Sequence, residues 1–153
     1  MTQPPDTDTH VYFYGPEFYC LSNFSAFQIV WKGKLFPTAE HAYHWEKFIP
    51  STPTHFKDMV QFATSAHEAY RLGQSLLYRR KDWDDVKLDI MECICRVKLN
   101  QHHYVYKKLR ETGGRILVED SWRDDYWGWG PNQQGANHLG RIWMKIREEI
   151  IGR

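Results

Sequence analysis

The chain has 153 residues, 42% hydrophobic and 25% charged, and its 20 basic and 19 acidic side chains leave a formal charge of +1. That size suits one domain with a real core. The near-neutral balance argues against a polybasic surface built to coat nucleic acid, while leaving room for a local phosphate pocket. Aromatic residues make up 16% of the chain. Most of these rings belong to a core, yet rings that stack on bases or sugars would come from the same supply.

Residues 1–9 are polar and proline-bearing and read as a disordered tail ahead of a single domain spanning 10–153. The start lacks the apolar core of a signal peptide, and no run approaches transmembrane length. Cys20, Cys93 and Cys95 are odd in number and form no CxxC pair, so a reducing, cytoplasmic setting is the default. Val11-Tyr12-Phe13-Tyr14 reads as a strand ended by Gly15-Pro16. Leu21 to Ser25 reads as a loop, because Ser and Asn satisfy backbone groups locally. Gln28 to Phe36 reads as a hairpin that reverses at Lys32-Gly33-Lys34.

From residue 38 onward the signal is helical. Thr38 is a natural N-cap for a first helix running to about Phe48, broken by Ile49-Pro50-Ser51-Thr52-Pro53. A second helix begins after Thr54. A third opens at Ser65, with Glu68 at capping-box spacing, and stops at Gly73. The fourth and longest follows Asp82, with Trp83, Val86, Ile90, Ile94 and Val97 recurring at three- and four-residue intervals. On its first turn Trp83 is placed to look out over a cleft. A fifth covers about Gln101 to Leu109, a strand follows at Arg115 to Val118, and a last helix runs from His138 to about Ile150. Between them, 121–137 is dense in Trp, Gly and Asp, which suits an ordered functional loop. The expected class is α+β: one compact, mainly helical domain with helices packed around a small sheet.

The chemistry is sparser. Glu40-His41-x-x-His44 is not HExxH: order and spacing are wrong for that zinc geometry. The histidines read as structural or surface residues, and neither a metal nor a cofactor is expected. No glycine-rich phosphate fingerprint is present. Glu40, on spacing alone, is ordinary first-turn helix chemistry beside free backbone amides. What remains is a pair of acidic places far apart in sequence, Glu40 and Asp124-Asp125, each beside aromatics. Two carboxylates across a cleft are the apparatus for cleaving a glycosidic bond.

Several motifs in fixed order carry a family resemblance. They are Phe13-Tyr14, Leu21-Ser22-Asn23-Phe24, Phe36-Pro37-Thr38-Ala39-Glu40-His41, Lys47-Phe48 and Arg71-Leu72-Gly73, then Trp83, Asp124 with Tyr126-Trp127-Gly128, and Asn137-x-Leu139-Gly140. In that order, over about 11–150, the chain resembles the NADAR (YbiA-like) family. The resemblance implies a YbiA-like fold and hydrolysis of an N-glycosidic bond to a phosphorylated ribose. It places the family's catalytic residues on Glu40, Asp124 and Trp83, with Asp125 less favoured than Asp124. It places ligand contacts on Asn23, Phe24, Lys47, Arg71, Trp127 and Asn137, with Arg71 the first choice for phosphate. The implied partner is ADP-ribose or a phosphoribosyl-amine small molecule, or ADP-ribosylated DNA or RNA, with no membrane and no obligate protein partner. Segment 127–135 is rich in Trp and Gln where some relatives carry Gly and Lys. That departure tilts the expected substrate toward ADP-ribosylated guanine. The alternatives are ribosylaminopyrimidine and ribosylaminouracil phosphates of riboflavin synthesis, and a module that binds ADP-ribose without cleaving it.

Overall fold

A computed structural model describes residues 5–121 and 123–152. The fold is α+β, and the described chain forms two compact units: residues 23–101, and residues up to 22 together with 102 onward.

The 23–101 unit starts with a hairpin of β1 (Ile29–Trp31) and β2 (Lys34–Phe36), paired antiparallel with Val30 opposite Leu35. Lys32 (φ 50°) and Gly33 (φ 76°) are both left-handed at the reversal. Two positive φ values in succession give the tight turn whose twist matches the strands it joins. Four helices follow: α1 (Ala39–Trp45), α2 (Thr54–Gln61), α3 (Ala66–Leu72) and α4 (Trp83–Gln101). Helix α1 packs on α2, α3, α4 and β2, and all seven of its residues are buried. A helix enclosed on every side while carrying Glu40, His41 and His44 must satisfy each polar group internally. Ser65 caps α3 as expected, its hydroxyl accepting from the Glu68 amide at 3.0 Å. Lys98 on α4 is fully buried, and its Nζ donates to Ser25 Oγ at 3.0 Å.

In the other unit the expected strand 11–14 shrinks to β3 (His10–Val11), pairing in parallel with β4 (Ile116–Leu117). The run ends because Phe13 turns to φ 32°, which no strand accommodates, and its ring is fully buried. Among the described residues there are two separate two-stranded pairs instead of one sheet. Of the expected tail, residues 1–4 lie outside the described residues. Thr7 donates its amide to the His10 carbonyl at 2.8 Å, and Asp6 accepts from the Tyr12 amide at 2.8 Å. Helices α5 (His103–Glu111) and α6 (His138–Ile151) complete this unit. Trp143 is buried on α6 and donates from its indole N–H to Leu21 O at 2.9 Å. Gly140 is needed for close approach, since a Cβ there would run into the Leu117 carbonyl and the Asn137 amide. Among the described residues no helix is long and apolar enough to cross a membrane.

Candidate active site

Helix α1 is built to hold a carboxylate still. Thr38 at its N-cap is extended (φ −147°, ψ 166°), and its hydroxyl oxygen accepts from the His41 amide at 3.2 Å. The His41 ring is satisfied on both sides: Nε2 donates to Ala63 O at 3.0 Å, and Nδ1 lies 2.8 Å from the Thr38 hydroxyl, from which it accepts. Burial pushes its pKa down, so His41 is a neutral brace, the structural role expected of it.

His44 does something the sequence did not disclose. Its Nε2 lies 2.6 Å from Glu40 Oε1, one helical turn away, with Glu40 only 7% exposed. Burial pushes the His44 pKa down, against the opposing pull of Glu40. The imidazole is therefore neutral near pH 7, its single proton donated from Nε2 to the carboxylate. Nδ1 is buried with no hydrogen-bond partner among the described residues. It faces Gly73, where any Cβ would collide with the ring. Gly73 has an ordinary helical φ of −70°. It is thus glycine for the room it leaves His44, rather than for the left-handed cap its place at a helix end implied. The four-residue spacing of Glu40 and His44 is the signal in the sequence that points to this pair. Glu40 Oε2 has no hydrogen-bond partner among the described residues.

Around this pair stand Asn23, Lys47 and Trp83. The Asn23 carbonyl accepts from the Glu40 amide at 3.1 Å, which ties the 21–25 loop to the first turn of α1. Asn23 Nδ2 reaches Met91 Sδ at 3.3 Å, and its Oδ1 is buried without a partner among the described residues. Lys47 Nζ donates to Gly73 O at 3.1 Å and lies 5.5 Å from the Tyr43 ring centroid and 6.0 Å from that of Trp83. Desolvation by burial pulls its pKa down to about 8, with Glu40 resisting. Trp83 does not look outward: it is 2% exposed and tilts against Tyr43 at 5.1 Å between centroids. As α4 enters the core there, its ring forms the wall behind Lys47, which corrects the expectation of an open indole face.

The remaining expected site residues lie elsewhere. Phe24 is 39% exposed. Arg71 is held by both oxygens of Glu68 on the outside of α3, its side chain 64% exposed. Its place as first choice for phosphate weakens accordingly, and Lys47 is the cation beside Glu40. Asp124, Trp127 and Asn137 belong to the other unit. Asp124 Oδ1 accepts from the Tyr126 and Trp127 amides at 2.9 and 2.8 Å, a local turn in which the carboxylate replaces a backbone acceptor. The Trp127 ring stands edge-on to Tyr126 at 4.8 Å. Asn137 is left-handed (φ 52°); its Oδ1 accepts from the Glu119 amide at 2.9 Å and its Nδ2 donates to Leu117 O at 2.9 Å. It pins the long loop to β4. Among the described residues no three His, Cys, Asp or Glu side chains converge to hold a metal ion.

The fold and the buried carboxylate define an α+β protein with a fixed acidic site on a wholly enclosed short helix. Residues 12–151 match the NADAR domain, and the chain belongs to the NADAR family. It is 38% identical over 143 residues to a protein of Nostoc punctiforme named N-glycosidase, covering 92% of each chain. It is 32% identical to N-glycosidase YbiA of Escherichia coli, covering 95% of this chain and 89% of that one. A riboflavin biosynthesis protein of Vibrio vulnificus is 35% identical, but this chain spans only 38% of its length. The solution structure of Escherichia coli YbiA superposes with a TM-score of 0.82 at 33% identity, covering 94% of this chain and 86% of that one.

Proposed function

We propose that the protein hydrolyses the C1′–N bond of a phosphorylated ribosyl compound, with Glu40 as the residue that carries the chemistry. The observation behind this reading is the Glu40 carboxylate itself, which is buried, fixed through one oxygen by neutral His44, and left with the other oxygen unpartnered among the described residues. As the bonding pair leaves with the base, positive charge grows on C1′ and the ring oxygen. A preorganised carboxylate in a low-dielectric site favours that transition state over the neutral substrate. Water then adds to C1′ as its proton passes to Glu40 Oε2, and that proton goes on to the nitrogen of the departing base, which leaves neutral and restores the carboxylate. His44 carries no charge in this scheme; its hydrogen bond sets the carboxylate's rotamer. The Lys47 ammonium holds a ribose hydroxyl or phosphate, and Asn23 Oδ1 accepts from a substrate hydroxyl.

The relatives named N-glycosidase support the bond type. The finer reading takes ADP-ribosylated guanine, free or in nucleic acid, as the substrate, and the sequence feature that favours it is the Trp- and Gln-rich composition of 127–135. A second reading, the ribosylaminopyrimidine phosphates of riboflavin synthesis, draws on the name of the Vibrio relative. Incubating the purified protein with ADP-ribosylated guanosine, and separately with a ribosylaminopyrimidine phosphate, decides between them through chromatographic release of the base. Release from the first alone supports the finer reading, and release from the second alone transfers it. Binding of ADP-ribose with no release from either overturns the hydrolase in favour of a binding module.

A further inference from the structure

A cavity of about 520 Å³ opens in the 23–101 unit, lined by none of the groups that touch Glu40. One wall is apolar: Phe48, Ile49, Pro50 and the ring of Trp45. The other is charged, with Lys32, Lys57, Arg80 and Lys81 set against only two carboxylates, Glu46 and Asp82. That is a local charge of +2 in one small concavity, against +1 for the whole chain.

The two acids do not neutralise all the cations. Glu46, on the turn that ends α1, has a side chain only 4% exposed. It accepts from the Trp31 indole N–H at 2.7 Å and pairs with Lys32 at 2.8 Å and Arg80 at 3.7 Å. Asp82 takes the other side of the Arg80 guanidinium at 2.7 and 3.0 Å. Neither Lys57 nor Lys81 has a carboxylate within ion-pair distance among the described residues. Lys57 Nζ sits 3.8 Å above the centroid of the Trp45 ring, so the indole face fixes the ammonium where an acid normally would. Burial pulls the Lys57 pKa down, against the pull of Glu46, and Lys34 and Lys32 add smaller effects in the same downward direction. The backbone locks this wall in place: Ile49 donates to Tyr78 O and Arg80 to Lys47 O, each at 2.8 Å.

From this geometry we infer that the cavity is a second ligand site, separate from the Glu40 site, which binds a phosphate monoester bearing a ring or other apolar portion. Lys57 and Lys81 take the phosphate, with Arg80 held beside them by Glu46 and Asp82. The apolar group lies against Phe48, Ile49 and Pro50. The volume is in the range of sites that enclose small ligands rather than polymers, roughly 300–1,000 Å³. The apolar wall distinguishes the site from a plain anion trap.

Titration of the full chain with phenyl phosphate and with inorganic phosphate, followed by heteronuclear NMR, tests the inference. The Trp45 indole N–H signal, assigned through its loss in Trp45→Phe, is the reporter. Phenyl phosphate is expected to shift that signal and to bind at least about tenfold tighter than inorganic phosphate, the difference that ~1.4 kcal/mol of apolar contact makes. The double variant Lys57→Gln, Lys81→Gln should lose affinity by a similar factor or more while its thermal unfolding stays that of the parent. Glu40→Gln should bind as the parent does, whatever its activity. Unchanged affinity in the double variant, loss of binding in Glu40→Gln, equal affinity for the two probes, or a response to a single-stranded oligonucleotide but not to phenyl phosphate would each overturn the assignment.

Discussion

Glu40 is a buried carboxylate and Asp124 a half-buried one, and they are held in opposite ways. Glu40 gives one oxygen to a side chain, His44, while its own amide is taken up by the Asn23 carbonyl. Asp124 gives one oxygen to two backbone amides of its own loop. A carboxylate bonded to backbone two and three residues on shapes the chain, and its value is largely retained by any acceptor of the same shape. A buried carboxylate held through one oxygen by the imidazole of a neighbouring turn is fixed in place instead, in surroundings where electrostatic interactions are strongly felt. The backbone around Asp124 is tightly packed as well, since Gly128 has no room for a Cβ between the Glu119 and Asp124 carbonyls.

Substitutions should separate the two. Glu40→Gln is nearly isosteric and keeps an acceptor for His44, so the fold should persist while turnover falls by about 10³-fold or more, as when a preorganised charge-stabilising group is removed. Turnover within tenfold of the parent would remove Glu40 from the chemistry. Gly73→Ala forces a methyl into the His44 ring. It should cost ~1–3 kcal/mol by overpacking and also cut turnover, because the carboxylate loses its brace; urea unfolding and steady-state rates measure the two effects separately. Asp124→Ala strands two amides and should cost ~1–2 kcal/mol. Asp124→Asn keeps the acceptor and should unfold almost as the parent does. A large loss of turnover in Asp124→Asn at unchanged stability would give Asp124 a chemical part beyond its turn.

The smallest effects are those of pH. His41 and His44 have folded pKa values below the ordinary 6.5, so the unfolded chain binds more protons on acidification. Their contribution is fully present above about pH 6.5 and is lost as pH falls below it, which unfolding midpoints at pH 7 and pH 5 should register. Lys47 acts at the other end. Its folded pKa is about 8 and its ordinary value 10.5, so stability should rise modestly between those values, where the unfolded chain holds the extra proton. Affinity for an anionic substrate should fall over the same span as the ammonium discharges. Lys47→Met should abolish that alkaline fall in affinity.

Element identity was largely legible in the sequence. The hairpin at Lys32-Gly33, the caps at Thr38 and Ser65, and the apolar spacing of the long helix from Trp83 are local signals, and each element formed where its own residues placed it. The class of chemistry was legible too, because the ordered motifs around Pro37-Thr38-Ala39-Glu40-His41 carry the resemblance to the family that the chain belongs to. What each side chain does was less legible. Arg71 was expected at a phosphate and is paired with Glu68, three residues before it on the same helix. Trp83 was expected to face a cleft and is buried behind Lys47. His44 belongs to no metal motif and braces Glu40.

By itself, then, the sequence determined most of the helices, the caps at Thr38 and Ser65 and the hairpin, because backbone conformation and capping are set by residues within a few positions of one another. The first helix ends at Trp45 rather than Phe48, and the candidate glutamate came from the family resemblance. Only the tertiary structure decided that α1 is enclosed on all sides, that His44 is neutral with its proton on Nε2, that Gly73 is glycine for the room it gives an imidazole, and that Lys57 rests on Trp45. Those outcomes depend on burial and on contacts between residues distant in sequence, such as His44 with Gly73 and Lys47 with Trp83. It is burial that turns an ordinary histidine, glycine or lysine into part of a site.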